Sequence, residues 1–198
     1  MPRTPIPLSL ENILLGFLTA GPSHGYDLFK KLTHFKGIAL VWHIKQGMVY
    51  AMLEKLEEQG LATATVVTGG TYLNRKEYSI TPEGNKSFLR WVATAVEHGR
   101  DMRQEFLAKL YFARFQEEDL ALRLISAQEK AAEGWLDKER AQYQGAAPDQ
   151  GMERMIFQYR IMQTEAMLEW LTYCRQEIQA SAAQKPTLID ELKPLAAD

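Results

Sequence analysis

The feature that most constrains this chain is a change of apolar period at Gly60. Ahead of it, three segments repeat their apolar residues at helical steps; behind it, two short segments alternate. In LENILLGFLTA, which follows Ser9, the residues Ile13, Leu14, Phe17 and Leu18 recur at one, three and four residue steps. This predicts an amphipathic helix ending at Gly21-Pro22. Ser23 is a natural N-cap for HGYDLFKKLTHF, whose inner face is expected from Tyr26, Leu28 or Phe29, and Leu32. The segment KGIALVWHI is short and partly β-branched, so a connection or an extended piece is expected there. KQGMVYAMLEKLEEQGL is a third helix that buries Val49, Leu53 and Leu56 and is stopped by Gly60. LATATVVT and RKEYSI then alternate on either side of TGGTYLN, which predicts a hairpin from Ala62 to Ile80 with Gly69-Gly70 near its tip. Thr81 and Pro82 cap and open a fourth helix with Phe88, Leu89, Trp91 and Val92 as apolar contacts.

The rest of the chain is predicted all-helical: a run around Met102 to Phe115, a second from Glu117 to about Tyr143, and a third from Met152 to about Ile178 after GAAPDQG. In the third, Met155, Tyr159, Met162, Ala166, Trp170 and Tyr173 recur at three- and four-residue steps. A helix of that length runs for roughly 40 Å. A small domain does not cover such a stripe, so it is read as a dimerisation helix of coiled-coil type. The tail SAAQKPTLIDELKPLAAD is expected to be peripheral or loosely ordered. The boundaries follow: 1–96 for the first domain, 97–180 for the helical dimerisation domain and 181–198 for the tail.

Composition narrows the function classes. The lone Cys174 cannot form an internal disulfide and is read as a small helix-packing residue. MPRTPIPLSL carries three prolines and no signal-peptide core, and no stretch approaches the ~20 apolar residues of a membrane span. A cytoplasmic protein with no membrane partner is expected. The net charge of -2 is divided unevenly: ten Lys and Arg against seven Asp and Glu up to Val96, thirteen against eighteen beyond it. The sign favours a nucleic-acid contact in the first part. Catalysis has no support, because no nucleophile and base, phosphate loop or metal set occurs at adequate spacing. His24, His34, His43 and His98 are scattered, so neither a metal nor a cofactor is expected.

Three helices and a hairpin in this order describe a winged helix-turn-helix domain, and the acid distribution in its third helix suits DNA. Glu54, Glu57 and Glu58 all lie in the second half, while the start is acid-free. Phosphates repel acid at the end that enters a major groove. Lys45 is suited to a phosphate, Gln46 to a base edge, Gly47 to close backbone approach, and Met48 and Tyr50 to apolar or hydroxyl contacts. Thr71, Tyr72, Asn74, Arg75 and Lys76 place polar and basic groups at or just past the hairpin tip, suited to phosphates or a minor groove. Ser23, His24, Gly25 and Tyr26 at the second helix offer a third phosphate contact. The fold class is therefore mainly α: an N-terminal winged helix-turn-helix followed by an all-helical, coiled-coil-like dimerisation domain.

Over about Leu8 to Trp91 the sequence resembles the PadR family of bacterial transcriptional regulators. The resemblance is carried by HGYDLFKKL (His24 to Leu32), GMVYAMLEKLEEQGL (Gly47 to Leu61) and RKEYSITPEG (Arg75 to Gly84), in the right order and spacing. It implies a homodimer that binds double-stranded DNA at an inverted-repeat operator, usually as a repressor, often released by a small aromatic or hydrophobic ligand. Gly47, Tyr50, Leu53 and Leu56 match the family's pattern. Lys45-Gln46 stand where Ser-Pro is common, Met48-Val49 where Thr-Leu is common, and Ala51 where Pro is common, so an operator sequence of its own is expected. No residue is assigned to a ligand; Trp91, Tyr111 and Phe112 near the domain junction are candidates for an effector pocket, with core packing the favoured reading of each. Two other readings remain open at this stage: a winged-helix protein-interaction module without DNA binding, and a ligand or cofactor sensor.

Overall fold

The computed structural model describes residues 9–34, 37–41, 44–67, 75–116, 119–147, 149–181 and 187–192. Its first helix, α1 (Ser9–Leu18), is buried on every side rather than amphipathic. The reason is its position: it packs against the third, fourth and fifth helices and the sheet at once, and a helix surrounded in this way has no solvent face to polarise. Gly16 makes this approach possible, since a Cβ there would come within 2.8 Å of the Phe112 and Phe88 rings. Those rings meet edge to face with centroids 5.6 Å apart, and Phe17 joins Phe112 at 5.2 Å.

A two-residue strand, β1 (Ser23–His24), precedes α2 (Gly25–His34). Ser23 is thus strand and not the N-cap expected of it, because its backbone pairs with Tyr78 of the hairpin. The connection expected around residues 36–44 holds, among its described residues, a 3-10 turn at Ile38–Leu40, with Ile38 in the core. Helix α3 (Gln46–Glu58) buries Val49, Leu53 and Leu56 as its periodicity predicts. It ends in a Schellman motif: Gly60 takes φ of +68°, Leu61 N–H donates to Leu56 O at 2.9 Å and Gly60 N–H to Glu57 O at 3.0 Å. Strands β2 (Ala62–Val67) and β3 (Arg75–Ile80) pair antiparallel from Ala62↔Ile80 to Val67↔Arg75. The sheet order is β1-β3-β2, so the hairpin has a third strand that its sequence did not suggest. Its expected Gly69-Gly70 tip lies outside the described residues.

Helix α4 (Pro82–Ala93) starts as expected, with the Thr81 hydroxyl accepting from Gly84 N–H at 3.0 Å and Pro82 in the first turn. The same hydroxyl donates to Gly60 O at 2.7 Å, which ties the end of α3 to the start of α4. Only glycine fits at position 84, where a Cβ would stand 2.0 Å from Leu61 O.

A connection through Thr94–His98 and a 3-10 turn at Gly99–Arg103 leads to α5 (Glu105–Ala113). The helix expected around Met102 therefore begins three residues later. Nearly all of α5 is buried, Tyr111 and Phe112 included. Two long helices follow, α6 (Leu120–Gly145) and α7 (Gly151–Ser181). Thr164 donates to Glu139 and Arg140 to Glu165, while Arg175, later on α7, donates to Glu129, earlier on α6, so the pair is antiparallel. The tail was expected to be peripheral, yet Leu188 of its short helix α8 (Leu188–Leu192) is buried against the core. An apolar residue next to uncovered core surface gains about 1.5–3 kcal/mol by docking there, which a composition-based reading of the tail cannot foresee.

Candidate nucleic-acid interface

The starts of α2 and α3 meet at a glycine. A Cβ on Gly25 would fall 2.7 Å from the Tyr50 ring, so the absence of a side chain there lets the two helix starts come together. Tyr50 lies over this contact and is still exposed, as are Tyr26 and Met48. Lys45, Gln46 and Gly47 beside them are exposed as well. The Lys45 N-cap has extended backbone and makes no side-chain capping bond. The first N–H groups of α3 therefore present the helix's positive end with no acid in its own first turn, while the exposed Asp27 stands in the first turn of α2. Two aromatics, a thioether, an amide and an ammonium on one exposed surface are unusual for a solvated helix start, and suited to meeting phosphates and base edges together.

The base of the hairpin borders this surface. His24 Nδ1 lies 3.2 Å from Lys76 O, and His24 pairs with Glu77 in the sheet. Arg75 and Lys76 are exposed at the start of β3. Lys76 is engaged within the chain: its ammonium donates to Glu57 Oε2 at 3.1 Å, and this bond and charge raise its pKa. Glu57 thus sits where the end of α3 meets β3. Thr71, Tyr72 and Asn74 lie outside the described residues.

Ser23 is buried, and its hydroxyl accepts from Lys31 Nζ at 3.2 Å. Burial lowers the pKa of Lys31, with Asp27 acting in the opposite sense. Two cations were missed by sequence reasoning, Lys31 and Lys30. The Lys30 ammonium stands 5.1 Å from the centre of the Tyr26 ring. For Lys30 the available signal was its four-residue separation from Tyr26 on α2.

On the far side of the molecule, the α7 stripe divides. Met155, Tyr159, Met162, Ala166 and Tyr173 are exposed, the large ones at 56–63%. Trp170 turns toward α5 and meets Phe106 edge to face at 6.0 Å. Met152 and Ile156 extend the exposed face toward the start of the helix. The opposite face, with Ile161, Thr164, Leu171 and Cys174, is buried. Burial also pushes the Cys174 thiol up to about 11, which fits a packing residue.

Comparison with known proteins adds two sequence matches. Residues 14–90 match the Transcriptional regulator PadR-like family, and residues 102–179 match the Virulence activator alpha C-term family. Over residues 14–90 the chain is thus similar to a family of transcriptional regulators. The Negative transcriptional regulator PadR of Bacillus subtilis (strain 168) is 30% identical over 104 residues, which are 52% of this chain and 56% of that protein. The chain thus matches little more than half the length of that relative. Among solved structures, Bacillus subtilis PadR in complex with operator DNA is 22% identical, covering 85% of this chain and 98% of its own, with a TM-score of 0.43. The Vibrio cholerae virulence activator AphA is 23% identical, covering 86% and 98%, with a TM-score of 0.36. A further structure holds Bacillus subtilis PadR with p-coumaric acid, 20% identical over 89% of this chain and 99% of its own, TM-score 0.40. The likeness to the PadR-like family, one of transcriptional regulators, rests on the sequence match over residues 14–90. Among the described residues, no helix is long and apolar enough to cross a membrane.

Proposed function

We propose that this PadR-like chain is a non-enzymatic, cytoplasmic transcription regulator that acts as a homodimer, a repressor occupying an inverted-repeat operator. The observation that carries this reading is the exposed surface where the starts of α2 and α3 meet, with Lys45, Gln46, Met48 and Tyr50 exposed and no acid in the first turn of α3. Each copy sets Lys45, Gln46, Gly47, Met48 and Tyr50 into a major groove, with the α2 start, through His24 and Tyr26, and the hairpin, through Arg75, on the flanking phosphates. Lys76 contributes less than its charge suggests, because Glu57 already holds it.

The domain division is 1–96 for DNA contact, 97–180 for dimerisation and 181–198 for the tail. The exposed face of α7 packs on its counterpart in a second copy, which accounts for six large apolar side chains left in solvent by one chain: Met152, Met155, Ile156, Tyr159, Met162 and Tyr173. Two third helices then enter successive major grooves about 34 Å apart. A small aromatic or hydrophobic effector releases the operator by favouring a dimer whose recognition helices are misplaced. Space for one exists in a cavity of about 670 Å³ lined by His98, Arg103, Trp135, Arg160 and Met167.

The deciding experiment is selection of bound sequences from a random duplex pool, followed by titration of the winner against salt. The expected product is a palindrome with half-sites one helical turn apart and an affinity that falls steeply with salt. A pool that never enriches, from a chain that still dimerises, would favour the protein-interaction reading of the winged scaffold.

A further inference from the structure

Two buried polar side chains of the helical part reach into the connection that follows α4, and neither is needed to close a helix. Gln128 of α6 is fully buried; its Oε1 accepts from Val96 N–H at 2.8 Å and its Nε2 donates to Val96 O at 3.4 Å. One amide thereby takes up both polar groups of a single backbone residue. Lys109 of α5 is only 3% exposed, and its ammonium donates to Thr94 O at 2.8 Å. The same ammonium pairs with Glu105 at 3.0 Å and stands 5.5 Å from the centre of the Trp91 ring. Trp91, on the last turn of α4, donates its indole N–H to Glu105 Oε1 at 3.0 Å. Over six residues, from Trp91 to Val96, the chain leaving the winged-helix part is thus held from α5 and α6 by hydrogen bonds of fixed direction.

Apolar packing alone does not need this. Val96 is buried and would tolerate sliding against apolar neighbours, whereas a two-point amide clasp permits one register and one angle. The cost of taking Gln128 and Lys109 out of water is met only while those bonds form. The clasp therefore separates one arrangement of the two parts from others that bury similar apolar area.

We infer that Gln128, supported by Lys109, is the positioning residue that sets the angle between the winged-helix part and the α6–α7 pair. Resting on the proposed function, this angle fixes the separation of the two recognition helices and hence the operator spacing the dimer accepts. Gln128 touches no DNA; it acts through Val96 and α4. Gln128→Met keeps the side-chain length and removes both hydrogen bonds, while Gln128→Asn keeps the amide and withdraws its reach.

The test uses the full chain with Cys174→Ser and spin labels at Glu54→Cys on α3 and Glu133→Cys on α6, both exposed, diluted with unlabelled chain. The distance distribution between the labels is measured for wild-type Gln128 and for both variants, with a thermal melt confirming folding of each. A narrow distribution that broadens or shifts in a folded variant supports the clasp. Distributions in Gln128→Asn and Gln128→Met that coincide with that of wild-type Gln128 overturn it. In parallel, affinity is measured for the selected palindrome and for one with half a turn, about 5 base pairs, inserted between half-sites. A discrimination of about 5- to 150-fold is expected for the unaltered clasp, the usual range of coupling between two sites, and it should shrink toward one in the variants. Changed distances with unchanged spacing discrimination overturn the operator-spacing part. A chain that binds no duplex at all, yet whose label distances respond to Gln128, removes the regulator reading and leaves the positioning role standing.

Discussion

The winged-helix part and the outer face of α7 treat their apolar residues in opposite ways. In the first, helices α1 to α4 close around one another, with Ile13, Leu14, Phe17, Leu28, Leu53, Leu56 and Phe88 removed from solvent within a single chain. Its exposed Tyr26, Met48 and Tyr50 stand at the α2 and α3 starts, beside Lys45 and Gln46. In α7, one face packs on α6 while a second apolar face of comparable length stays in water. The contrast separates two meanings of an exposed apolar side chain. A small patch mixed with an amide, an ammonium and bare N–H groups suits a polar, charged partner; a long stripe of Met and Tyr at helical spacing suits another helix.

The strongest way to break this comparison is at α7. Tyr159→Glu with Met162→Glu should weaken self-association by on the order of 10²- to 10⁴-fold, since each large apolar side chain buried contributes about 1.5–3 kcal/mol. Analytical ultracentrifugation checks it, and an unchanged mass at micromolar concentration would mean the stripe is not the interface. Next comes the closed core of the winged-helix part: Leu53→Ala should cost about 2–5 kcal/mol of unfolding free energy in a denaturant titration. A loss below 1 kcal/mol would show that α3 is held by something other than its inner face.

Smaller effects sharpen the other half of the contrast. Tyr50→Ala should lower affinity for the selected operator by about 1–3 kcal/mol while changing binding to random duplex little. Equal losses on both would make Tyr50 a backbone contact. Lys45→Ala should weaken binding to all duplexes alike and reduce the salt slope by about 1. Least of all, Cys174 should resist thiol reagents at pH 8 in the native protein and react on unfolding. Its thiol pKa, raised by burial to about 11 from an ordinary 9.0, keeps it protonated there. The sign for stability follows: the contribution is complete below pH 9 and lost as pH rises through 11. Rapid native-state labelling at pH 8 would show that the inner face of α7 opens readily.

Much of this arrangement was written locally. The inner residues of α3, the Gly60 stop, the Thr81-Pro82 start of α4 and the strand alternation around the hairpin each depend on a few neighbouring residues. Capping, positive φ and apolar period are all local physics, and the PadR-like motifs lie on these same segments. The α7 stripe was legible too, except at Trp170, where proximity to Phe106 outweighed its place in the repeat.

What required the fold were relations between segments distant in sequence. Ser23 became a strand residue because Tyr78, fifty-five positions away, offered its backbone. α1 lost its polar face because three helices and a sheet surround it. Glu57 became the partner of Lys76, and Gln128 the partner of Val96, through pairings in which neither residue type marks the other. The acid-free front of α3 was therefore visible in the sequence alone. That Gly25 brings a second helix start and an exposed tyrosine alongside it was decided only by tertiary packing, because close approach depends on which backbone lies opposite, and no local pattern carries that information.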